Sequence, residues 1–298
     1  YLVSRRRRKF ISGKRKSWKP NIPVIIVGNI TIGGTGKTPL VKYIAKQLKE
    51  LGYKPGIVSR GYGGNYTGTH QVTEKSTYKE TGDEAQILSK LDMPFYLDRN
   101  RPRAVKSLVK NNDCDVVIAD DGLQHYQLGR DIEIVVIDGS RRLGNALCFP
   151  AGPLRESPKR LESVDFIVNN GGPTNENENL MTISPANFVH LNSAKSYNVN
   201  SWPMHNQVHA VAGLGNPGRF FDTLTRLGFD VIRHSFPDHH KYDKRDLYFL
   251  DNLPIIMTEK DASKCKHFGN SKIWYLTIEA ELPNDFISNI DTKLKTIN

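Results

Sequence analysis

Three groups of residues have the types and spacing to do chemistry on a phosphate. The first is Thr31-Ile32-Gly33-Gly34-Thr35-Gly36-Lys37-Thr38, which follows the apolar run Val24 to Val27. A strand, a glycine-rich turn and a helix start in that order aim backbone N–H groups and the positive end of a helix dipole at an anion. Lys37 would reach the β- and γ-phosphates of a nucleotide, and the Thr38 hydroxyl would sit on Mg²⁺. Thr31 stands where the usual phosphate loop has its first glycine, and Gly33 and Gly34 supply the backbone freedom instead. The second group is Asp120-Asp121, delivered by the apolar run Val116 to Ala119. In a phosphate-loop protein, acids at such a strand end organise Mg²⁺ and water, although plain loop chemistry also puts acids there. The third is Arg155-Glu156, presented by the turn Pro150-Ala151-Gly152-Pro153-Leu154. Glu156 could ligate Mg²⁺ and Arg155 could neutralise phosphate, or the segment is a surface turn. Asp120, Asp121 and Glu156 are left unranked as metal ligands.

The elements that must position these groups read as strands alternating with helices. Leu40, Ile44, Leu48 and Leu51 mark one helix face, closed by Gly52. Gly56 to Val58 is a short strand followed by the loop Ser59-Arg60-Gly61-Tyr62-Gly63-Gly64. Residues 65–80 are polar loop or edge structure. Thr81-Gly82-Asp83-Glu84 opens a helix, with an N-cap as the ordinary reading of Asp83. Phe95 to Leu97, Ile132 to Ile137 and Phe166 to Asn169 are further strands, and Arg99 to Lys110 is a helix. The predicted fold class is α/β, a phosphate-loop NTPase-like, mostly parallel sheet with helices on both faces, plus a second, smaller α/β domain. The predicted layout is a basic arm over 1–20, a phosphate-loop domain over 21–170, a hinge region over 171–207 and the smaller domain over 208–298. In the last, Gly213-Leu214-Gly215-Asn216-Pro217-Gly218 matches a dinucleotide fingerprint, but Pro217 removes a backbone donor and the pattern is discounted. Lys260-Asp261 lacks the Asn and the spacing of a guanine-reading box.

Composition narrows the function classes. The chain has 298 residues and a net charge of +11, but nine of its Lys and Arg lie in residues 1–20, leaving 33 basic against 31 acidic residues. So the body is near neutral, and the arm, with Phe10, Trp18 and Tyr1 interleaved, reads as a binder of anionic lipid or nucleic acid, or as a solvated tail. No nucleic-acid module is recognisable, so nucleic acid is not expected as a partner. No apolar run approaches the ~18–20 residues needed to cross a bilayer. The three cysteines, Cys114, Cys148 and Cys265, are too sparse for a disulfide framework or zinc site and fit a reducing compartment. The chain starts with Tyr, and the expectation is that something upstream has been removed.

Taken together, VGNITIGGTGKTP, SRGYGG, GDEA, ADDGLQH, DIEIVVIDG, PAGPLRE, AGLGNPGRFF, PDHH and MTEKDA resemble, in order, the tetraacyldisaccharide 4′-kinases. The resemblance runs from residue 23 to about 265, and Thr31 is usual in that family. It implies ATP- and Mg²⁺-dependent phosphorylation of the 4′-hydroxyl of a lipid disaccharide 1-phosphate, giving lipid IVA, at the cytoplasmic face of the bacterial inner membrane. It implies Asp83 as the base on the sugar hydroxyl, assisted by His239, with His240 if the register is off by one. Lys37 joins them as a catalytic residue, and Arg60, Tyr62, His125 and Arg155 are the substrate-binding candidates, Arg60 toward the 1-phosphate. A closure about 171–207 would bring Asp83 and His239 together. The arm would follow the membrane helix that members of the family carry and would meet the anionic surface. No obligate protein partner is expected. The rival readings are a phosphate-loop NTPase switch and a kinase of another membrane-associated acceptor.

Overall fold

The structure, a computed structural model, describes residues 2–269 and 271–297, so Tyr1 of the arm's aromatics lies outside the described residues. The chain forms two compact units, residues 1–183 with 280–298, and residues 184–279.

The larger unit is built on a parallel sheet. Its elements begin with α1 (Leu2–Ile11), β1 (Val24–Gly28), α2 (Lys37–Glu50), β2 (Pro55–Ser59), β3 (His70–Gln71), α3 (Tyr78–Thr81) and α4 (Asp83–Leu88). They continue with β4 (Phe95–Leu97), α5 (Arg101–Asn111), β5 (Val116–Asp120), β6 (Ile132–Asp138), β7 (Phe166–Asn170) and β8 (Glu178–His190). The order across the sheet is β3-β4-β2-β5-β1-β6-β7-β8, and only β3 pairs antiparallel among these. β1 is central, and its register sets Val27 beside Asp120 of β5. That pairing is why the phosphate loop and the aspartate pair emerge at the same edge of the sheet.

Side chains alternate across a strand, so β1 feeds two cores. Ile25 and Val27 join Leu40, Ile44 and Leu48 of α2 on one face. Val24 and Ile26 join Ala104, Val105 and Leu108 of α5 on the other. All these side chains are fully buried, and burying each Val, Leu or Ile among them contributes about 1.5–3 kcal/mol. Truncating Ile44 to Ala would cost about 2–5 kcal/mol and loosen the helix whose first residue is Lys37.

The N-terminal arm is not a free tail. Arg7 donates to Ser163 Oγ at 2.9 Å, and the Phe10 ring lies 6.1 Å from that of Tyr126. Trp18 exchanges backbone hydrogen bonds with Gln127 and Gly129, while Lys106 stands 4.9 Å over its ring. Among the described residues no helix is long and apolar enough to cross a membrane.

The smaller unit takes the last part of β8, then β9 (Ser196–Asn198), β10 (Gln207–Ala212), α6 (Gly218–Arg226), β11 (Asp230–Ser235), β12 (Ile255–Thr258), α7 (Glu259–Ala262) and most of β13 (Ile273–Glu281). Strand order is β11-β10-β12-β13-β8, with β9 antiparallel on β8. Phe188, Phe220, Phe221, Leu224 and Phe229 pack under it. The chain then enters α8 (Asn284–Ile297), whose Phe286, Ile287, Ile290 and Leu294 pack into the core cluster of α2.

Two expected boundaries therefore move. The supposed hinge over 171–207 contains β8, and the passage between units falls inside β8 and again inside β13. The supposed second domain over 208–298 loses its last residues, because the apolar stripe of α8 is buried in the larger unit.

Candidate active site

The phosphate loop is stitched to the turn that carries Arg155. Ile32 N donates to Pro153 O at 2.8 Å, Arg155 N donates to Ile30 O at 2.6 Å, and Thr31 bridges Leu154. Thr31 is thus a short piece of antiparallel ladder, which an L residue suits, so no glycine is required there. The loop ends at Gly36, which caps α2 with φ 93°. Lys37 and Thr38 follow as the first two helical residues, where backbone N–H groups lack intrahelical partners. Thr35 is buried, and its hydroxyl has no hydrogen-bond partner among the described residues, which suits a phosphate oxygen. Ile32, Gly33 and Gly34 are exposed.

The two aspartates split in character. Asp121, with φ 47°, sits 3.4 Å from Lys37 Nζ and 3.1 and 3.3 Å from Arg155. Burial alone would raise its pKa, but Lys37, Arg155 and Arg101 outweigh that and hold it below the usual carboxylate value. Asp120 is pushed up to about 7 by burial, with Glu84 and Asp121 adding to the push against Lys37 and Arg101. Ser59 donates to its Oδ2 at 3.2 Å, while its buried Oδ1 has no partner among the described residues. A buried carboxylate with one uncommitted oxygen fits a divalent cation, which would favour its charged form. Glu156 is different. Gln124 donates to its Oε1 at 2.9 Å, Tyr126 donates to its Oε2, and Arg160 lies 3.8 Å away. Both oxygens tie the 122–126 and 155–160 segments together, whereas Asp120 keeps one oxygen without a partner among the described residues. Among the described residues no three or more His, Cys, Asp or Glu form a metal cage. Mg²⁺ ordinarily takes one or two protein ligands, with phosphate oxygens and water, and Thr38 with Asp120 fits that pattern.

Cations border this acid pair. Arg101 is wholly buried and donates to the carbonyls of Asp98 (2.7 Å) and Asp120 (3.1 Å). Burial lowers its pKa to about 10, against Asp120 and Asp121, so it stays charged at neutral pH. His125 is lowered to about 3 by burial and then by Arg101, Arg60 and Arg6, against Asp121. It is therefore a neutral imidazole, and Arg6 of α1 and Arg60 are within electrostatic reach of it. Tyr62 and Arg60 are exposed, and the Arg60 carbonyl accepts from Tyr66.

Asp83 is buried at the first position of α4. The cap is Gly82, not Asp83, at φ 84°. A side chain at Gly82 would collide with the Tyr62 carbonyl oxygen, so the 60–64 loop lies directly against the segment that presents Asp83. Asp83 Oδ1 accepts from Glu84 N at 3.0 Å.

In the smaller unit, His239 is exposed with φ 60°, its Nε2 3.9 Å from Asp238, which also pairs with Lys260 at 3.2 Å. Burial would raise the Asp238 pKa, but Lys260 and His239 hold it low. His240 is consumed by structure: its Nε2 is 2.9 Å from Asp246 and its ring stacks on Phe236 at 4.6 Å. The two histidines thus differ in exposure and in partners, His239 being the more exposed. The Gly213 amide is donated to Asp261 at 2.9 Å, and Asp261 also accepts from Thr258 and Lys264. That ties the 213–218 loop to α7.

Sequence reasoning missed Glu84, Arg101, Arg141 and Asn170. Arg101 fell inside the predicted helix Arg99 to Lys110, and nothing local marks an arginine for full burial. Asn170 did carry a signal, since polar residues closing an apolar strand next to one that ends in an aspartate belong to the same ligand-facing edge.

Comparison with known proteins agrees with this geometry. The family model described as tetraacyldisaccharide-1-P 4′-kinase matches residues 1–295. A tetraacyldisaccharide 4′-kinase of Methylobacillus flagellatus is 45% identical over 98% of this chain and 88% of its own length. One from Coxiella burnetii is 48% identical over 96% and 85%. A crystal structure of LpxK from Aquifex aeolicus in complex with ATP aligns with a TM-score of 0.83 at 26% identity, over 99% of this chain and 95% of that one. A phosphate loop at the C-terminal end of a central parallel strand, a match to the family along nearly the whole chain and relatives at nearly half identity lead to one conclusion: the chain belongs to the tetraacyldisaccharide-1-P 4′-kinase family.

Proposed function

We propose that this protein transfers the γ-phosphoryl group of ATP to the 4′-hydroxyl of a tetraacyldisaccharide 1-phosphate, giving lipid IVA. The observation that carries the reading is the convergence of the loop amides, Lys37 and the Asp120–Asp121 pair at the ends of β1 and β5. Phosphoryl transfer needs positioning and charge neutralisation more than covalent help. The loop amides and Lys37 would hold the phosphates, and Arg155 would keep Asp121 charged and in place. Mg²⁺, held by Thr38 and Asp120, would neutralise charge on the phosphate oxygens. Asp83 would take the 4′-hydroxyl proton as that oxygen bonds to the γ-phosphorus and the bond to ADP breaks. His239 would assist the base. Arg60, with the cations around His125, supports binding of the substrate 1-phosphate, and Tyr62 extends that candidate surface.

The exposed Arg5, Arg6, Arg8 and Lys9 of α1 support contact with an anionic membrane surface, about 1 kcal/mol for each basic residue near it. The cytoplasmic face of the bacterial inner membrane is the proposed location. Incubation with ATP, Mg²⁺ and a tetraacyldisaccharide 1-phosphate should yield a product with a second phosphate, read by mass spectrometry. ATP hydrolysis indifferent to the acceptor, with no bisphosphorylated product, would overturn the assignment.

A further inference from the structure

We propose that Arg141 and Asn170 form a carbonyl clamp that sets the phosphate loop for nucleotide, an inference that rests on the ATP reading above. Neither residue belongs to the loop. Asn170 closes β7, and Arg141 follows β6, whose Asp138 pairs in register with Asn170. Asn170 Nδ2 donates to Thr35 O at 3.0 Å. An Arg141 guanidinium N–H donates to Gly34 O. In a trans peptide the C=O and the following N–H point opposite ways. Holding the Gly34 carbonyl toward Arg141 therefore turns the Thr35 N–H away from it, and holding the Thr35 carbonyl toward Asn170 does the same for the Gly36 N–H. These are two of the amides that an incoming phosphate needs.

The clamp is itself fixed. Asp138 Oδ1 accepts from the backbone N–H of Ser140 (3.1 Å) and Arg141 (3.0 Å), and its Oδ2 accepts from Arg141 Nε at 3.1 Å. Asn170 is buried, and its amide lies so close to Gly36 that any side chain there would displace it. The glycine at 36 and the asparagine at 170 therefore require each other. Without these two donors the loop would have to order its carbonyls when nucleotide binds, and affinity would fall by that ordering cost.

Arg141 and Asn170 are positioning residues, so the test separates nucleotide binding from folding and from acceptor use. Arg141→Ala and Asn170→Ala are each compared with the unmodified protein by calorimetric titration with an ATP analogue without acceptor. Steady-state KM for both substrates and the nucleotide-free Tm complete the set. A neutral hydrogen bond supports about a fivefold rise in the ATP Kd for Asn170→Ala, and the charged donor a rise of about tenfold or more for Arg141→Ala. The acceptor KM stays unchanged in both, and the nucleotide-free Tm stays unchanged in Arg141→Ala and falls in Asn170→Ala, where a buried hydrogen bond is lost. Arg141→Lys, which keeps one donor, should recover part of the loss. Asn170→Asp, which keeps size but sets a carboxylate against the carbonyl, should lose more than Asn170→Ala. Arg141 is more than half exposed, so its variants fold whatever happens at Asn170. An unchanged ATP Kd in Arg141→Ala, or equal rises in both KM values with a lower Tm, overturns the clamp while the kinase assignment stands. An unmodified protein that does not bind the ATP analogue overturns both.

Discussion

Lys37 Nζ lies 3.4 Å from Oδ1 of Asp121, and Arg155 holds the same carboxylate from 3.1 Å. The loop lysine is thus restrained by an acid that has a second cation of its own. A phosphate can draw Lys37 away without leaving Asp121 unpaired, so this half-buried carboxylate keeps a compensating cation throughout. Lys37→Ala should lower kcat/KM by about 10²–10³-fold, the scale for removing one donor to transferring charge. Steady-state kinetics against ATP read it directly, and an unaltered kcat/KM would remove the loop from the mechanism.

Asp83 and the two histidines give a three-way comparison. Asp83→Ala should lower kcat by about 10²–10⁴-fold, the usual range for a general base, with ATP affinity kept. His239→Ala should lower kcat with Tm unchanged, because the side chain is exposed. His240→Ala should lower Tm instead, because it removes the Asp246 contact and the stack on Phe236. Thermal unfolding and turnover measured side by side decide it. The reverse pattern for the two histidines would return the assisting role to His240.

Glu156 and Asp120 are indistinguishable as metal ligands by sequence, and Mg²⁺ titration should separate them. Glu156→Gln keeps an acceptor for Tyr126 but loses the charge facing Arg160, so it should cost about 1–3 kcal/mol of stability. Its activity below the melting transition should keep the unmodified Mg²⁺ dependence. Asp120→Asn should lose activity and, in whatever remains, require more Mg²⁺. A large Mg²⁺ shift in Glu156→Gln would restore it to the metal sphere.

These contrasts mark what was legible in the chain. Val24 to Val27 and Val116 to Asp121 carry their message locally, as apolar runs that end in groups for binding phosphate, and both strands are found there with those groups at their ends. The contacts of Glu156 with Tyr126 and of Arg101 with the Asp120 carbonyl join residues thirty and nineteen positions apart, which no local spacing reveals. The segment 178–190 read as hinge because stretches rich in Asn, Ser, Gly and Pro flank it at 171–180 and 192–206, and its strand is not a buried apolar run. The return of α8 to the larger unit is a packing fact: its apolar stripe is amphipathic by spacing, but its partner on α2 lies more than two hundred residues earlier.

The opposed shifts of Asp120 and His125 predict a pH signature in metal- and nucleotide-free protein. Asp120 moves up from 3.8 to about 7, so the native state holds that proton more tightly than the unfolded chain. Its contribution to stability therefore falls as pH rises from about 4 to about 7 and is flat above. His125 moves down from 6.5 to about 3, so its contribution is full above about 6.5 and is lost as pH falls toward 3. Between about 4 and 6.5 the two slopes cancel in the unmodified protein, which hides both. Asp120→Asn mimics the protonated acid and removes only the first. In EDTA the variant should match the unmodified protein near pH 4 and exceed it by a few kcal/mol at pH 7.5, on the scale of about 1.4 kcal/mol for each tenfold difference in proton affinity between the folded and unfolded chain. It should at the same time lose most of its activity. Urea midpoints at pH 4.5, 6 and 7.5 give the curve. A gap between variant and unmodified protein that stays constant across those three values would mean that Asp120 is charged throughout, and that its uncommitted oxygen is not held at the expense of stability.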